Sequence, residues 1–162
     1  MAASTVIKNL NDGSIAAEDG TPTSVAASFT VGDLSIDGLS ATQNEVTAYE
    51  TRGTLNSVRH TSRTYPSVSF SAQLADYSDG TDVLLTDLML KQGSQSSAVS
   101  TLGTNAEVYT VKITLTVEGT DHGDAADHTI VMDDVHVTAA MSEGDPNTVT
   151  FSGTIYGTVT MT

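Results

Sequence analysis

The chain has no cysteine and no tryptophan. The first absence excludes disulfides, thiolate nucleophiles and cysteine-based zinc sites; it suits either redox compartment. The second, with aromatics at only 5%, leaves no ring platform for stacking sugars or bases. Positive charge is scarce too. Six Lys and Arg stand against twenty Asp and Glu, for a net charge of −14 over 162 residues. Binding to nucleic acid needs cations to neutralise phosphates, and this chain would repel DNA and an acidic membrane surface alike. No apolar run approaches the roughly 18 residues that span a bilayer, so no membrane partner is expected. "MAASTVIKNL" lacks a basic stretch followed by an apolar one, so no signal peptide is expected either.

What remains is a Ser/Thr-rich chain with 38% hydrophobic and 16% charged residues. Strands suit such a surface better than helices do. The acidity has two readings: it keeps a hydroxyl-rich protein soluble, or it forms a surface that negatively charged material passes without sticking. The length fits one domain.

Residues 1–24 are polar and turn-rich and read as a partly ordered N-terminal arm, with room for one short strand near Ile15. Residues 25–162 read as a single β domain. Residues 25–31 alternate, and "GDLSIDG", 32–38, places Leu34 and Ile36 in a short extended piece before a loop at "GLSATQN". "EVTAYETRGTLNSVRH", 45–60, reads as two strands about Arg52-Gly53. Val68, Phe70, Ala72 and Leu74 alternate with Ser67, Ser69, Ser71 and Gln73 in a half-buried strand behind Pro66. One segment breaks the period of two: Leu84, Leu85 and Leu88 are at helical spacing, with Asp79, Thr81 and Asp82 at the start, Lys91 in the last turn and Gly93 to close it. One helix is expected over about 81–91. Tyr109, Val111, Ile113, Leu115 and Val117 share one face of a strand over 107–118. Residues 128–139 return, interrupted at "DD" by a bulge, and "NTVTFSGTIYGTVTMT", 147–162, reads as one closing strand. The fold class is mainly β: an antiparallel sandwich or partly closed barrel with one flanking helix.

Few constellations invite chemistry. "DHGDAADH" groups Asp121, His122, Asp124, Asp127 and His128, enough donors for a divalent metal. The spacing matches neither an EF-hand nor HExxH, and the place is a hairpin tip, so a solvated turn is the simpler reading. Asp133 and Asp134 with His136 offer paired acids, but strand neighbours point to opposite faces. The glycines of "GTIYG" mark bends or a close backbone approach. No catalytic residues, cofactor or metal ligands are assigned. The basic residues are more informative: Arg52, Arg59 and Arg63 are half of all six and lie within twelve positions, with His60 among them. They either pair locally with acids, worth little at a surface, or form a subunit interface that meets an acidic patch on another copy.

Taken in order, "DGTPTSVAASFTVGDLS", "EVTAYETRGTLNSVRHTSRTYPSVSFSAQLADYSDGT", the leucine helix and a closing "SEGDPNTVTFSGT" resemble the major tail tube proteins of long-tailed bacteriophages, those with non-contractile tails most. The resemblance covers nearly the whole chain from about residue 12. It implies a β-sandwich with a flanking helix, six copies forming a ring around a shared β-barrel, and rings stacking into a hollow tube. The implied partners are the chain itself, a tape-measure protein, and tail terminator and initiator proteins. DNA passes through without specific binding, and the implied site is the virion tail, assembled in the host cytoplasm. Tubes of contractile tails and of type VI secretion have related folds. The rival readings are another non-enzymatic β-sandwich module, such as a capsid decoration protein, a type VI secretion-like tube protein or a carbohydrate-binding domain (the last disfavoured by the lack of tryptophan), and a metal-dependent enzyme using residues 121–128.

Overall fold

A computed structural model describes residues 13–21, 26–30, 32–73, 85–120, 123, 125–144 and 147–162. The strands are β1 (Gly13–Glu18), β2 (Ala26–Thr30), β3 (Gly32–Asp37), β4 (Asn44–Thr51), β5 (Thr54–Arg63), β6 (Ser67–Gln73), β7 (Val111–Val117), β8 (His128–Ser142), β9 (Thr148–Ile155) and β10 (Val159–Met161). Eight of them form one antiparallel sheet in the order β2-β1-β7-β8-β9-β6-β3, with β10 also on β8. The sheet curls into a half-barrel. Of the two arrangements the sequence left open, the partly closed barrel is the one formed. β4 and β5 make a separate two-stranded ribbon.

The period of two that marks the strands also builds the core. β7 alternates buried and half-buried residues along its whole length, and Val111, Ile113, Leu115 and Val117 point inward. β6 and β9 contribute Val68, Phe70, Ala72, Val149, Phe151 and Ile155. Phe70 and Phe151 are register partners whose ring centroids lie 5.1 Å apart. Burial of each such side chain stabilises the fold by about 1.5–3 kcal/mol. The opposite sides of β6 and β9 carry Ser67, Ser69, Ser71, Thr148, Thr150, Ser152 and Thr154, matched row by row in the register.

The helix, α1 (Leu85–Leu90), buries Leu85, Leu88 and Met89 in that core and packs near β8, β1 and β2. It stops at Leu90, one residue before the expected end, because Lys91 turns left-handed with φ of 52°. Residues 81–84 of the expected helix lie outside the described residues. The Tyr109 hydroxyl donates to the Leu88 carbonyl at 2.6 Å, which satisfies one open acceptor at the helix end. Gly93 also adopts positive φ, at 53°.

Of the expected arm, 1–12 and 22–24 lie outside the described residues. The strand near Ile15 is present as β1. It sits between β2 and β7, and Ile15 and Ala17 are fully buried. Asp19, just past β1, accepts from the Val99 amide at 3.2 Å and from the Thr21 hydroxyl at 2.8 Å, and the Gly20 amide donates to the Val99 carbonyl at 2.8 Å. These bonds fasten the end of β1 to the long loop before β7.

The closing segment corrects the expectation of one strand. It breaks at Tyr156–Thr158 into β9 and β10. β8 has β7 on one side and, on the other, β9 along its second half and β10 along its first. Between Val135 and Met132, β8 advances three residues while β7 advances two, from Val111 to Ile113. This is a bulge at Asp133-Asp134, with Asp134 at φ of 52°. The closing strand breaks beside that bulge. There Tyr156 donates its amide to the Asp134 carbonyl at 3.1 Å, Gly157 to Asp133 at 3.2 Å, and Asp133 to Thr158 at 3.0 Å. A strand cannot keep a regular ladder along a partner that carries an extra residue.

Candidate assembly interface

The ribbon is the feature least explained by the chain's own packing. β4 and β5 turn back at Arg52-Gly53, with φ of 53° and 77°. Two positive φ values at a two-residue loop define the type I′ hairpin turn, whose twist matches that of paired strands. Glycine suits this geometry and arginine does not. The ribbon has no extended packing on any other strand or helix among the described residues. No residue of β4 or β5 is buried. Val46, Tyr49, Leu55 and Val58 are 57%, 49%, 59% and 54% exposed. A two-stranded ribbon without cover is marginal in water.

At its base the ribbon is tied to the half-barrel. Arg63 reaches the Tyr156 carbonyl at 3.5 Å, and its guanidinium lies 5.1 Å from the Tyr65 ring centroid. Tyr65 and Tyr156 meet edge to face with centroids 5.0 Å apart. An open groove of about 550 Å³ runs beside this base, lined in part by Leu39, Pro66, Val159 and Met161.

All three arginines lie on the ribbon, but not on one face. Arg52 is at the tip. Arg59 pairs with Thr47 and Arg63 with Asn44, on opposite sides of β4's alternation. Sequence proximity put them together, and the pleat separates them. His60 pairs with Val46 on the face that holds Arg63.

Of the other candidates, Asp127, Asp133, Asp134 and His136 make hydrogen bonds within the fold. Asp121, His122 and Asp124 lie outside the described residues. Asp127 accepts from the Gly119 and Thr120 amides at 3.0 and 3.1 Å and from the Thr120 hydroxyl at 3.1 Å. The Gly119 amide, followed by the two Thr120 donors, holds its pKa below the ordinary carboxylate value. Asp127 is therefore engaged in fixing the turn. No group of three metal-ligating side chains converges among the described residues. The acids of the bulge do not act as a pair: Asp133 accepts from the Thr158 hydroxyl at 3.0 Å and Asp134 from Thr101 at 2.7 Å. His136 Nδ1 donates to the Tyr109 carbonyl at 3.1 Å. A second open groove, about 510 Å³, holds Glu18, Asp19, Asp133 and Asp134. Lys112 pairs with Glu18 there, so the groove is a hydrogen-bonded seam. Among the described residues Tyr109 is the strongly perturbed group: burial first, then the charge of Asp19, pushes its pKa up to about 12.

The glycines of "GTIYG" are close-approach positions, as expected. A Cβ on Gly157 would lie 2.6 Å from the Asp133 carbonyl oxygen, and one on Gly153 would lie 2.7 Å from Val135 Cγ1.

No protein-family model matches the chain, and no curated protein matches it. Among solved structures, a chain of the "Cryo-EM structure of the anti-feeding prophage (AFP) baseplate, 6-fold symmetrised" is similar, with a TM-score of 0.48 and 14% identity over 100% of this chain and 97% of that one. A likeness at this level carries no functional argument, and function must be read from the chain's own surface.

Proposed function

We propose that this chain is a structural, non-enzymatic virion protein that polymerises as stacked rings, six copies to a ring, into the hollow tail tube of a long-tailed phage with a non-contractile tail. The observation that carries this reading is the ribbon Asn44–Arg63, a twenty-residue projection with no buried residue and, among the described residues, no extended packing on another strand or helix. Such a ribbon gains its cover from a neighbouring copy. The half-barrel supports the same reading. Among the described residues β2 and β3 are its outermost strands, and neither contains a lysine. Charged residues, lysine above all, guard an edge against strand addition; β2 has none, and such an edge suits a sheet shared between subunits.

In this proposal the tube surrounds a tape-measure protein, and terminator and initiator proteins bound its length. Each copy brings a charge of −14. A bore that displays part of it repels phosphates and lets DNA slide. Electron microscopy of the purified protein, with and without a tail initiator complex, tests the reading. Stacked rings or tubes are expected. A strictly monomeric protein at high concentration under both conditions overturns it.

A further inference from the structure

The ribbon's two faces differ in chemistry. Cross-strand partners of an antiparallel pair project to the same side. The register Val46↔His60, Ala48↔Val58 and Glu50↔Leu55 therefore gathers Val46, Ala48, Leu55 and Val58 on one face, with Glu50 toward its tip and His60 and Arg63 toward its base. Thr47↔Arg59, Tyr49↔Ser57 and Thr51↔Thr54 make the other face, which is mostly hydroxyl. Plain alternation would not sort them so, because Leu55, Ser57 and Arg59 would share a side. The register shift between Tyr49 and Glu50 places an extra residue in β5 and moves Leu55 across to join Val58. A bulge that re-aims a side chain is a specific device. Here it completes an apolar stripe that stands in water.

We infer that this apolar face is the docking surface for a second copy of the chain, while the hydroxyl face stays solvated. The inference rests on the polymer reading above and adds to it which face makes the contact. Charge selects the occupant. Residues 44–63 hold Arg52, Arg59 and Arg63 against Glu45 and Glu50, a net of +1 in a chain of −14, so the remainder carries −15. The ribbon is thus drawn to the body of another copy, and the apolar stripe supplies the contact once it arrives.

The absence of cysteine allows a clean test. A benzophenone carried on Val58→Cys in the full chain, illuminated at high protein concentration, is expected to join two chains at acidic segments of the body. The same group on Thr47→Cys, across the ribbon, is expected to join few. Adducts within a single chain, as when another segment of the same chain covers the stripe, overturn the inference. So do equal two-chain yields from both faces. In a second arm, Val58→Asp is expected to cut the assembled fraction by about tenfold or more and Thr47→Asp to leave it within about twofold. The Val46→Thr, Val58→Thr pair keeps strand-forming residues and an unchanged circular dichroism spectrum, and is expected to weaken assembly in the same direction. Normal assembly by both the Val58→Asp and the double variant overturns the inference. A wild-type protein that forms no rings or tubes counts against the polymer reading alone, since the adducts still show whether two copies meet through this face.

Discussion

Arg63 lies over the ring of Tyr65, 5.1 Å from its centroid, where the ribbon joins the half-barrel. The same arginine touches the carbonyl of Tyr156, whose ring meets Tyr65 edge-on. The cluster joins the last residue of β5 to the break between β9 and β10, so it sets the direction in which the ribbon leaves the body. A cation over an exposed aromatic ring is worth about 0.5–1 kcal/mol. Arg63→Ala is therefore expected to leave the melting temperature of the half-barrel nearly unchanged while hydrogen exchange quickens at the ribbon's base. Unchanged exchange there would show that the cluster does not hold the ribbon.

The tip makes a sharper prediction. Arg52 occupies the first position of a type I′ turn with φ of 53°, where asparagine is much better suited. Arg52→Asn is expected to stabilise the turn by roughly 0.5–1 kcal/mol, seen as slower exchange of the ribbon's amides. Assembly is expected to weaken, because the tip loses its charge. Stability and assembly then move in opposite directions, and a purely structural role for Arg52 does not produce that pattern. Assembly equal to wild type would remove Arg52 from the interface.

At Gly157 a methyl group has nowhere to go, since backbone atoms of Asp133 lie 2.6 and 2.8 Å from where it would sit. Gly157→Ala is expected to cost about 1–3 kcal/mol in denaturant unfolding and to loosen β10 from β8. The control is Gly53→Ala. That site has open space but φ of 77°, so its cost is backbone strain confined to the ribbon.

Tyr109 links stability to pH. Burial raises its folded pKa to about 12, above the ordinary tyrosine value of 10.0. The unfolded chain therefore loses this proton first as pH rises. The stabilisation is fully present below about pH 10 and is lost as pH climbs toward 12. Phenolate absorbance should show a late-titrating tyrosine. Tyr109→Phe should flatten the stability profile over that window and cost about 1 kcal/mol at neutral pH through the lost bond to Leu88.

The strands were legible in the sequence wherever one face is core and the other water. β7 is the clearest case, and Val111 to Val117 alternate in the structure as they do in the text. The bulge was legible at "DD" because it interrupts that alternation. Its consequence for the closing strand was not, because the break at Tyr156–Thr158 is imposed by an irregularity in a different strand. The ribbon was legible as a hairpin about Arg52-Gly53, but not as a projection. Val46, Val58 and Leu55 look like core residues, and only the register reveals that their face meets no core. The three arginines were the available signal, since a ribbon rich in cations does not pack into a sheet's interior.

The ten residues of β5 span about 33 Å, so Arg63 stands at the pivot from which any change of the ribbon's angle is magnified at the tip. A tilt of about 10° at that pivot carries the tip about 6 Å, slightly more than one strand spacing. In the proposed tube, the edge-on contact between Tyr65 and Tyr156 beside Arg63 would then help to decide which strand of a neighbour the tip meets.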